Sequence, residues 1–314
     1  MRRAALAVAA MLLVASASSC AAQKGSSALL PVHTEYIQNS ASQAEPQVRL
    51  NTLFYDKDTY ARAILAPQKY EGEGRLTTAM LPHHLLAADM MTGVYSLAAK
   101  NSDSYDTVII ISPSHFLENC NSDIVTTTAG WNTPYGAIDA DILVVETLLK
   151  NKLLSAEDNS SAVEKDHGVS AHIPFVRHYL PKARVAVCMV SNKISQEKLT
   201  ELWRVLTKLC VNKRILLLAS VDCSHYLLPD AAAVHDKETA KGIEAFDTAK
   251  LLSFTDSNID SPQAVTSFLA VVKARGDTLK QLGHSNSTNY LPHSITNPIY
   301  DSGITTYFTY GAFN

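Results

Sequence analysis

The sequence has little charge and no excess of basic residues. Charged residues make up 18% of the 314 residues, and 27 Lys and Arg against 30 Asp and Glu give a net charge of −3. Proteins that bind nucleic acid usually concentrate Lys and Arg in a basic patch or stripe, and no such stripe is present. The composition therefore predicts that the protein has no nucleic-acid partner.

Cysteine is also scarce, with five residues in the chain. Cys20 lies near the N-terminus, and the other four are Cys120, Cys188, Cys210 and Cys223. Their spacing resembles neither a disulfide framework nor a zinc ribbon, although an exported protein could pair some of them. Cys188 and Cys210 lie in apolar runs, so we predict that both are core residues.

The N-terminus has the composition of an export signal. Arg2 and Arg3 precede an apolar run from Ala4 to Ala17, which is too short to span a bilayer permanently, and small residues follow. The residues before Cys20 resemble a bacterial lipobox. We therefore predict an exported protein, either held at a membrane by a lipid on Cys20 or released into the periplasm or the extracellular space.

The rest of the chain divides into a tether and one domain. We assign residues 1–22 to the signal peptide and residues 23–45, rich in Ser, Ala and Gln, to a flexible tether. Residues 46–314 show no internal repeat and no domain boundary. We expect them to form a single domain whose only membrane contact is the lipid anchor.

Short apolar runs alternate with helical periods in this domain, the pattern of a sheet covered by helices. Strands are predicted at Leu76–Leu81, Thr107–Ile111, Arg184–Val190 and Arg214–Val221, with a final strand at Gly303–Phe313. Runs such as V-I-I-I are apolar on both faces, as central parallel strands are. The pattern predicts an α/β fold with a mainly parallel sheet.

Helices are indicated by stripes of apolar residues at helical spacing. One stripe comprises Ile138, Ile142, Val145, Leu148 and Leu149, and another comprises Leu199, Leu202, Trp203, Leu206 and Leu209. A further helix is predicted to begin at Ser261-Pro262, because Ser is a good N-cap and Pro a good first helical residue.

Three of the predicted strands end in loops that contain histidine. These loops are L-P-H-H (Leu81–His84), S-P-S-H-F (Ser112–Phe116) and D-C-S-H-Y (Asp222–Tyr226). Ligand sites of α/β sheets form at the carboxyl ends of the strands, so the three loops should meet at one edge. We predict one polar pocket there.

The residue types in and near these loops suit a metal ion. Neutral imidazoles and a carboxylate bind first-row divalent metals, and two His with one carboxylate leave positions open for oxygen or substrate. Asp260, just before the predicted Ser261 helix, is the candidate carboxylate, and the helix dipole would favour its ionised form. The candidate ligands are His83, His115 and Asp260.

Each of these residues also has a structural interpretation. His83 and His115 could be core or loop histidines bonded to the backbone, and Asp260 could be an acidic residue at a helix start. Asp222 could orient loop amides. These alternatives stay open on the sequence alone.

Two further histidines lie in D-H-G-V-S-A-H-I-P-F, at a predicted junction between a loop and a helix. His167 and His172 could belong to the pocket or could be surface or N-terminal helix residues. Cys223 and His225 suggest a nucleophile and a base, but on a continuing strand their spacing would point them to opposite sides. Cys223 could equally be a small buried residue.

Six short motifs, in order from Phe54 to the C-terminal part of the chain, resemble those of Memo-like proteins, also called AmmeMemoRadiSam system protein B. F-Y-D at Phe54 is similar to the family's F-Y-P, L-P-H-H to A-P-H-A-G-Y, and S-P-S-H to G-P-S-H. W-N-T-P-Y-G (Trp131–Gly136) is similar to W-x-T-P-L-G, D-H-G-V-S-A-H-I-P-F to E-H-S-I-E-x-x-L-P-F, and S-V-D-C-S-H-Y to S-S-D-L-S-H-Y.

This resemblance implies a fold and a metal. The family is similar in fold to class III extradiol dioxygenases, three-layer αβα proteins that hold non-haem iron with two His and one Glu. By position, His83 and His115 would be the His ligands, and Asp260 stands where the family often has a Cys in C-G-x-x-P-I. A carboxylate there favours Fe(II), Mn(II) or Zn(II) over Cu(I). Fe(II) is the expected cofactor, with Zn, Mn or Cu as alternatives.

The resemblance also implies catalytic roles. His225 would be the general acid–base, Asp222 would orient it, and His167 would line the same pocket. Ser170 departs from the family, which has a Glu there, and His84-Leu85-Leu86 replaces Ala-Gly-Tyr. An export signal is a further departure, since most relatives are expected in the cytoplasm.

The leading hypothesis is a metal-dependent oxidoreductase of dioxygenase ancestry with an unknown substrate. The rival is a non-enzymatic protein that binds a peptide or a small ligand in the same pocket. A hydrolase that uses Cys223 and His225 is a third hypothesis. The sequence has no aromatic cluster and no basic clamp that would name a substrate.

Overall fold

The structure is a computed structural model that describes residues 48–115, 120–211, 214–291 and 303–314. The predicted signal peptide, the tether and Cys20 lie outside these residues. In the described ranges, no helix is long and apolar enough to cross a membrane. Export and lipid attachment stay predictions.

The strands are β1 (Arg49–Asn51), β2 (Leu76–Leu81), β3 (Thr107–Pro113), β4 (Ile124–Thr126), β5 (Gly130–Thr133), β6 (Gly136–Ile138), β7 (Glu157–Asp158), β8 (Arg184–Val190), β9 (Ile215–Ser220), β10 (Cys223–Leu227), β11 (Thr278–Asn286) and β12 (Ile304–Phe313). The helices are α1 (Lys57–Leu65), α2 (Ala88–Ala99), α3 (Ile142–Leu149), α4 (Ser160–Lys165), α5 (His167–Ser170), α6 (Ile173–Tyr179), α7 (Gln196–Val211), α8 (Pro229–Glu244), α9 (Thr248–Leu252) and α10 (Pro262–Arg275).

A nine-stranded sheet has the order β10-β12-β2-β9-β3-β8-β4-β7, and β11 pairs with β12 outside this path. Its centre is parallel, since β9 runs parallel to both β2 and β3, and β3 runs parallel to β8. β12 joins β2 antiparallel, and β10 and β11 pair with β12 antiparallel. A small second sheet has the order β1-β5-β6. The predicted mainly parallel sheet is confirmed in its core.

The side chains of the central strands pack in two hydrophobic cores, one on each face of the sheet. In β3, Val108 and Ile110 belong to one core, while Ile109 and Ile111 belong to the other, because successive residues of a strand face opposite sides. Residues of α1, α2, α4, α5 and α6 complete the first core, and residues of α3, α7, α8, α9 and α10 complete the second. The domain therefore has the predicted three-layer αβα architecture.

Local sequence signals set several boundaries. Strands β2 and β8 have the predicted bounds. Helix α10 begins at Pro262 after Ser261, whose hydroxyl accepts from the amide of Ala264 at 3.2 Å, and it ends at the left-handed Gly276.

One predicted helical stripe was too long. Asp141 caps α3 by accepting from the amide of Val144 at 3.3 Å, so the helix cannot include Ile138. Ile138 instead pairs with Trp131 between β6 and β5. The sequence placed Ile138 in the helical stripe because a buried strand residue and a buried helix residue are equally apolar.

Candidate metal centre

A cavity of about 330 Å³ opens where β2, β3 and β9 end. It is lined by His83, His84, His115, His167, Asp222, His225, Tyr226, Asp256, Asp260 and Thr305. All six residues predicted for the site line this cavity. His83, His115 and Asp222 lie there because the carboxyl ends of neighbouring parallel strands lie at one edge of the sheet, while His167, His225 and Asp260 come from α5, β10 and the loop before α10. Their chemical roles stay predictions.

His83 follows β2 and is almost completely buried, with 2% of its surface exposed. Its Nδ1 lies 3.0 Å from the hydroxyl of Ser220, and its Nε2 lies 3.3 Å from Asp260 Oδ2 and 3.5 Å from Asp222 Oδ2. Burial, with the neighbouring histidines, holds its pKa well below the usual value of 6.5. His83 is therefore neutral near pH 7, the form that binds a metal.

His115 follows β3 and is held by Asp166. Its Nδ1 lies 2.8 Å from Asp166 Oδ1, and its backbone amide donates to Asp166 Oδ2 at 2.9 Å. Burial alone would raise the pKa of Asp166, but the hydrogen bonds and charge of His115 lower it below its usual value. An ionised Asp166 accepts a hydrogen bond from the protonated Nδ1 of His115. Nε2 of His115 is then available to a ligand.

His167 begins α5, and its ring centroid lies 4.0 Å from that of His115 and 5.1 Å from that of His83. Burial, then His115, lowers its pKa. One nitrogen from each of His83, His115 and His167 lies within 4.8 Å of the others. A second such group comprises His83, Asp222 and Asp260, so His83 is shared by an imidazole group and a carboxylate group.

The two aspartates are joined through the backbone. Asp260 Oδ2 accepts from the amide of Asp222 at 3.1 Å, and the amide of Asp260 donates to the carbonyl of Asp222 at 3.2 Å. Oδ1 of Asp260 is buried and has no hydrogen-bond partner among the described residues. Burial, followed by repulsion from Asp222, raises the pKa of Asp260 well above its usual value.

The contacts of Asp222 are with the loop that carries His83 and His84, and its predicted role of orienting His225 stays a prediction. Oδ1 of Asp222 accepts from the backbone amides of His83 at 3.1 Å and His84 at 3.5 Å, and its Oδ2 faces His83. The sequence alternative, in which Asp222 orients loop amides, describes the observed contacts. The reason is geometric, because the L-P-H-H loop passes directly beside the end of β9.

His225 lies on β10, where Ser224 and Tyr226 have positive φ angles of 21° and 57°. Its amide donates to the carbonyl of Asp256 at 3.0 Å, and its buried Nδ1 has no hydrogen-bond partner in the part of the chain that the structure describes. Cys223 belongs to the hydrophobic core, and burial raises the pKa of its thiol. Because the cavity lining includes His225 and not Cys223, the geometry disfavours a nucleophilic pair.

His172 is not in the cavity lining. It is fully buried behind His83, with Nε2 3.1 Å from the Ser220 hydroxyl and Nδ1 3.1 Å from the Tyr95 hydroxyl. Sequence reasoning missed Ser220, Asp166 and Tyr95. Asp166 could have been recognised as the N-cap before His167, but Ser220 and Tyr95 have no local signal.

The fold and the cavity define an α/β protein with a candidate metal site, and comparison with known proteins places it further. Residues 57–295 match the family described as Memo-like protein. The chain is 24% identical over 222 residues to a MEMO1 family protein of Methanopyrus kandleri, which covers 67% of this chain and 76% of the relative. It is 25% identical over 174 residues to a MEMO1 family protein of Nitrosopumilus maritimus, which covers 55% of this chain and 62% of the relative.

This chain belongs to the Memo-like protein family. Its fold is similar to the crystal structure of an uncharacterized protein of Escherichia coli K12, with a TM-score of 0.51 and 15% identity. That similarity covers 74% of this chain and 99% of the other. The resemblance in the motifs and the predicted fold class are thereby confirmed.

Proposed function

We propose that this protein binds a divalent transition-metal ion in the cavity and uses it for oxidoreductase chemistry on a small molecule. One observation carries the proposal. Five histidines and three aspartates line the cavity, and none of its described lining residues is Lys or Arg. Electron-pair donors thus converge without a basic side chain to balance the carboxylates.

The residues fit a cation in detail. Nε2 of His83 lies 3.3 Å and 3.5 Å from two carboxylate oxygens, and the buried Oδ1 of Asp260 has no hydrogen-bond partner within the described ranges. Buried carboxylates normally have a hydrogen bond, an opposite charge or a metal, because desolvation is costly. A bound divalent ion would supply the missing positive charge.

We propose His83, His115 and Asp260 as ligands. His83 belongs to both groups of donor atoms, His115 to the group that includes His167, and Asp260 to the group that includes Asp222. Two imidazoles and a carboxylate suit Fe(II), and the same donors accept Zn, Mn or Cu. When bound, such an ion acts as a Lewis acid and, in the case of iron, exchanges electrons with substrate or oxygen.

His225 is the proposed acid–base residue of the same site. Its unpartnered Nδ1 can hold or accept a proton, and the bond from its amide to Asp256 fixes the backbone that carries it. Asp222, which holds the amides of His83 and His84, keeps that loop against the carboxylates.

Metal analysis tests the proposal. The protein is purified without oxygen, freed of metal, and titrated separately with Fe(II), Mn(II), Zn(II) and Cu(II), beside His83→Ala and the exposed His178→Ala as control. We expect one ion per chain in the wild type and the control, and none in His83→Ala. Equal metal content in all three proteins would exclude the site, and so would no binding in any of them.

The alternative is a binding protein without catalysis, and the rim of the cavity gives it some support. Tyr226 is 81% exposed and Leu228 is 61% exposed, which offers an apolar surface beside the polar cavity. A peptide or small ligand that binds metal-free and metal-loaded protein equally well would favour this alternative.

A further inference from the structure

We propose that Ser220 is a positioning residue that keeps the ring proton of His83 on Nδ1, so that Nε2 faces the cavity as an electron-pair donor. The proton placement is a property of the metal-free protein. Its consequence for metal affinity rests on the proposed function.

The Ser220 hydroxyl has a single proton, which it can donate to one acceptor. This hydroxyl lies 2.5 Å from the carbonyl oxygen of Gly168, which can only accept. The proton of Ser220 is therefore used in that bond, since two oxygens at this distance without a proton would repel each other. Ser220 can then only accept from its other neighbours.

Those neighbours are two ring nitrogens. Nδ1 of His83 lies 3.0 Å from the Ser220 oxygen, and Nε2 of His172 lies 3.1 Å from it. A hydroxyl oxygen has two lone pairs, so it can accept from both. Each of these nitrogens must therefore carry a proton, and the oxygen of Ser220 is fully used.

The hydrogen bond between His172 and Tyr95 agrees with a proton on Nε2 of His172. A neutral His172 with its proton on Nε2 has a lone pair on Nδ1, and the Tyr95 hydroxyl lies 3.1 Å from that atom. Tyr95 donates to it. Every donor from Tyr95 to His83 then has an acceptor, and these buried side chains need no water to complete the network.

The same result is reached for the second histidine through a different group. His115 donates a hydrogen bond from Nδ1 to the carboxylate of Asp166, with 2.8 Å between Nδ1 and Oδ1. His83 donates its hydrogen bond from Nδ1 to the Ser220 hydroxyl, which is neutral. Nδ1 of His83 is therefore not bonded to a negative charge. Both histidines thus direct Nε2 away from the group that holds Nδ1. Nε2 of His83 lies 3.3 Å from Asp260 Oδ2 and 3.5 Å from Asp222 Oδ2, so a proton or a cation lies between it and these oxygens, and Ser220 fixes the other nitrogen without adding charge.

Fixing the tautomer should strengthen metal binding, because an unheld imidazole spends part of its time with the proton on the nitrogen that must bind. Loss of such an outer partner typically lowers metal affinity about 10- to 100-fold. We expect Ser220→Ala to fall in this range, and Ser220→Thr, which keeps the hydroxyl, to restore affinity.

The first measurement is the tautomer itself. Long-range ¹H–¹⁵N spectra of metal-free protein at pH 7.5 report which ring nitrogen of His83 is protonated, with His83→Asn to assign the signals. We expect an Nδ1 proton in the wild type and in Ser267→Ala, a control that removes a buried hydroxyl bonded at 2.7 Å to a helix carbonyl. An Nδ1 of His83 that carries no proton in the wild type would overturn the proposal, whether or not any variant folds.

The second measurement is zinc affinity by competition with a chelator. We expect about 10- to 100-fold weaker binding in Ser220→Ala and less than about threefold change in Ser220→Thr and Ser267→Ala. Wild-type affinity in a folded Ser220→Ala would refute the positioning role. If the wild type bound no metal, the proposed function would fail, while the spectra would still decide where the proton lies.

Discussion

His83 and His225 line the same cavity, but the fold treats them differently. His83 is 2% exposed, its Nδ1 is bonded to Ser220, and its amide is bonded to Asp222. His225 lies between two residues of positive φ, and its Nδ1 has no partner. His83 is held at its backbone amide and at Nδ1, as a permanent ligand should be, and its Nε2 faces the carboxylates. The other histidine has a buried Nδ1 without a hydrogen-bond partner among the described residues, and its position in the cavity lining suits contact with a molecule that enters and leaves.

The largest expected effect separates these two residues. His83→Ala should lower metal affinity more than about 100-fold, since it removes a proposed ligand, whereas His225→Ala should change it less than about threefold. Competition with a chelator measures both. Similar losses in both variants would make His225 a ligand and would end the distinction.

The second prediction concerns a substitution that affects only the side of the cavity that carries His225. Buried Asp236 accepts from the hydroxyls of Ser224 at 2.7 Å and Thr306 at 2.6 Å, and Nε2 of His284 lies 2.7 Å from it. Asp236→Ala leaves these groups without their acceptor, so unfolding free energy should fall by about 3 kcal/mol in urea denaturation.

The control is Asp230→Ala, an exposed acidic residue in the first turn of the same helix, which should cost less than about 1 kcal/mol. Metal affinity of folded Asp236→Ala should stay near that of the wild type. A large loss of metal would show that the two sides of the cavity depend on each other.

A third prediction concerns pH on the His83 side. Burial lowers the pKa of His172 to about 3, partly offset by Asp222. The unfolded chain, with a pKa near 6.5, takes up a proton that the folded protein refuses. Above that value His172 makes no difference, and as pH falls below it stability is lost until the folded pKa is reached. Between pH 7 and pH 5 the expected loss is about 2 kcal/mol.

His172→Gln keeps a donor and an acceptor but does not titrate. Its unfolding free energy should therefore fall about 2 kcal/mol less than that of the wild type over this range. His178→Gln, at an exposed histidine, should follow the wild type more closely. Parallel curves for all three proteins would mean that His172 is protonated, or accessible, in the folded state.

The sequence predicted the central strands and the cavity residues that follow them, His83, His115 and Asp222, for one physical reason. Buried parallel strands need continuous apolar runs, and polar residues directly after them must lie at one edge of the sheet. β11, by contrast, reads T-L-K-Q-L-G-H-S-N and was not predicted, because its pairing with β12 depends on tertiary contact. The sequence also could not assign Asp222, whose carboxylate reaches backwards to a loop 139 residues away.

Ser220 shows the same limit at the site. It is an ordinary strand residue in the run I-L-L-L-A-S, and nothing near it in sequence marks its contacts. His83 is 137 residues away and His172 is 48 residues away. Residues that follow strands can be located from pattern, but residues that hold them across the fold require coordinates.

The smallest effect concerns the backbone beside His225. Tyr226 has a φ of 57° and is 81% exposed, so its side chain contributes little packing while its backbone is strained. Ala would keep this strain and Gly would relieve it, so Tyr226→Gly should be about 1 kcal/mol more stable than Tyr226→Ala. Val234, 59% exposed within α8, gives a control of opposite sign, since Gly should be about 1 kcal/mol less stable than Ala in a helix. If Gly were the less stable residue at both positions, the left-handed backbone conformation of Tyr226 would not persist in solution. The backbone beside His225 would then not be fixed by it.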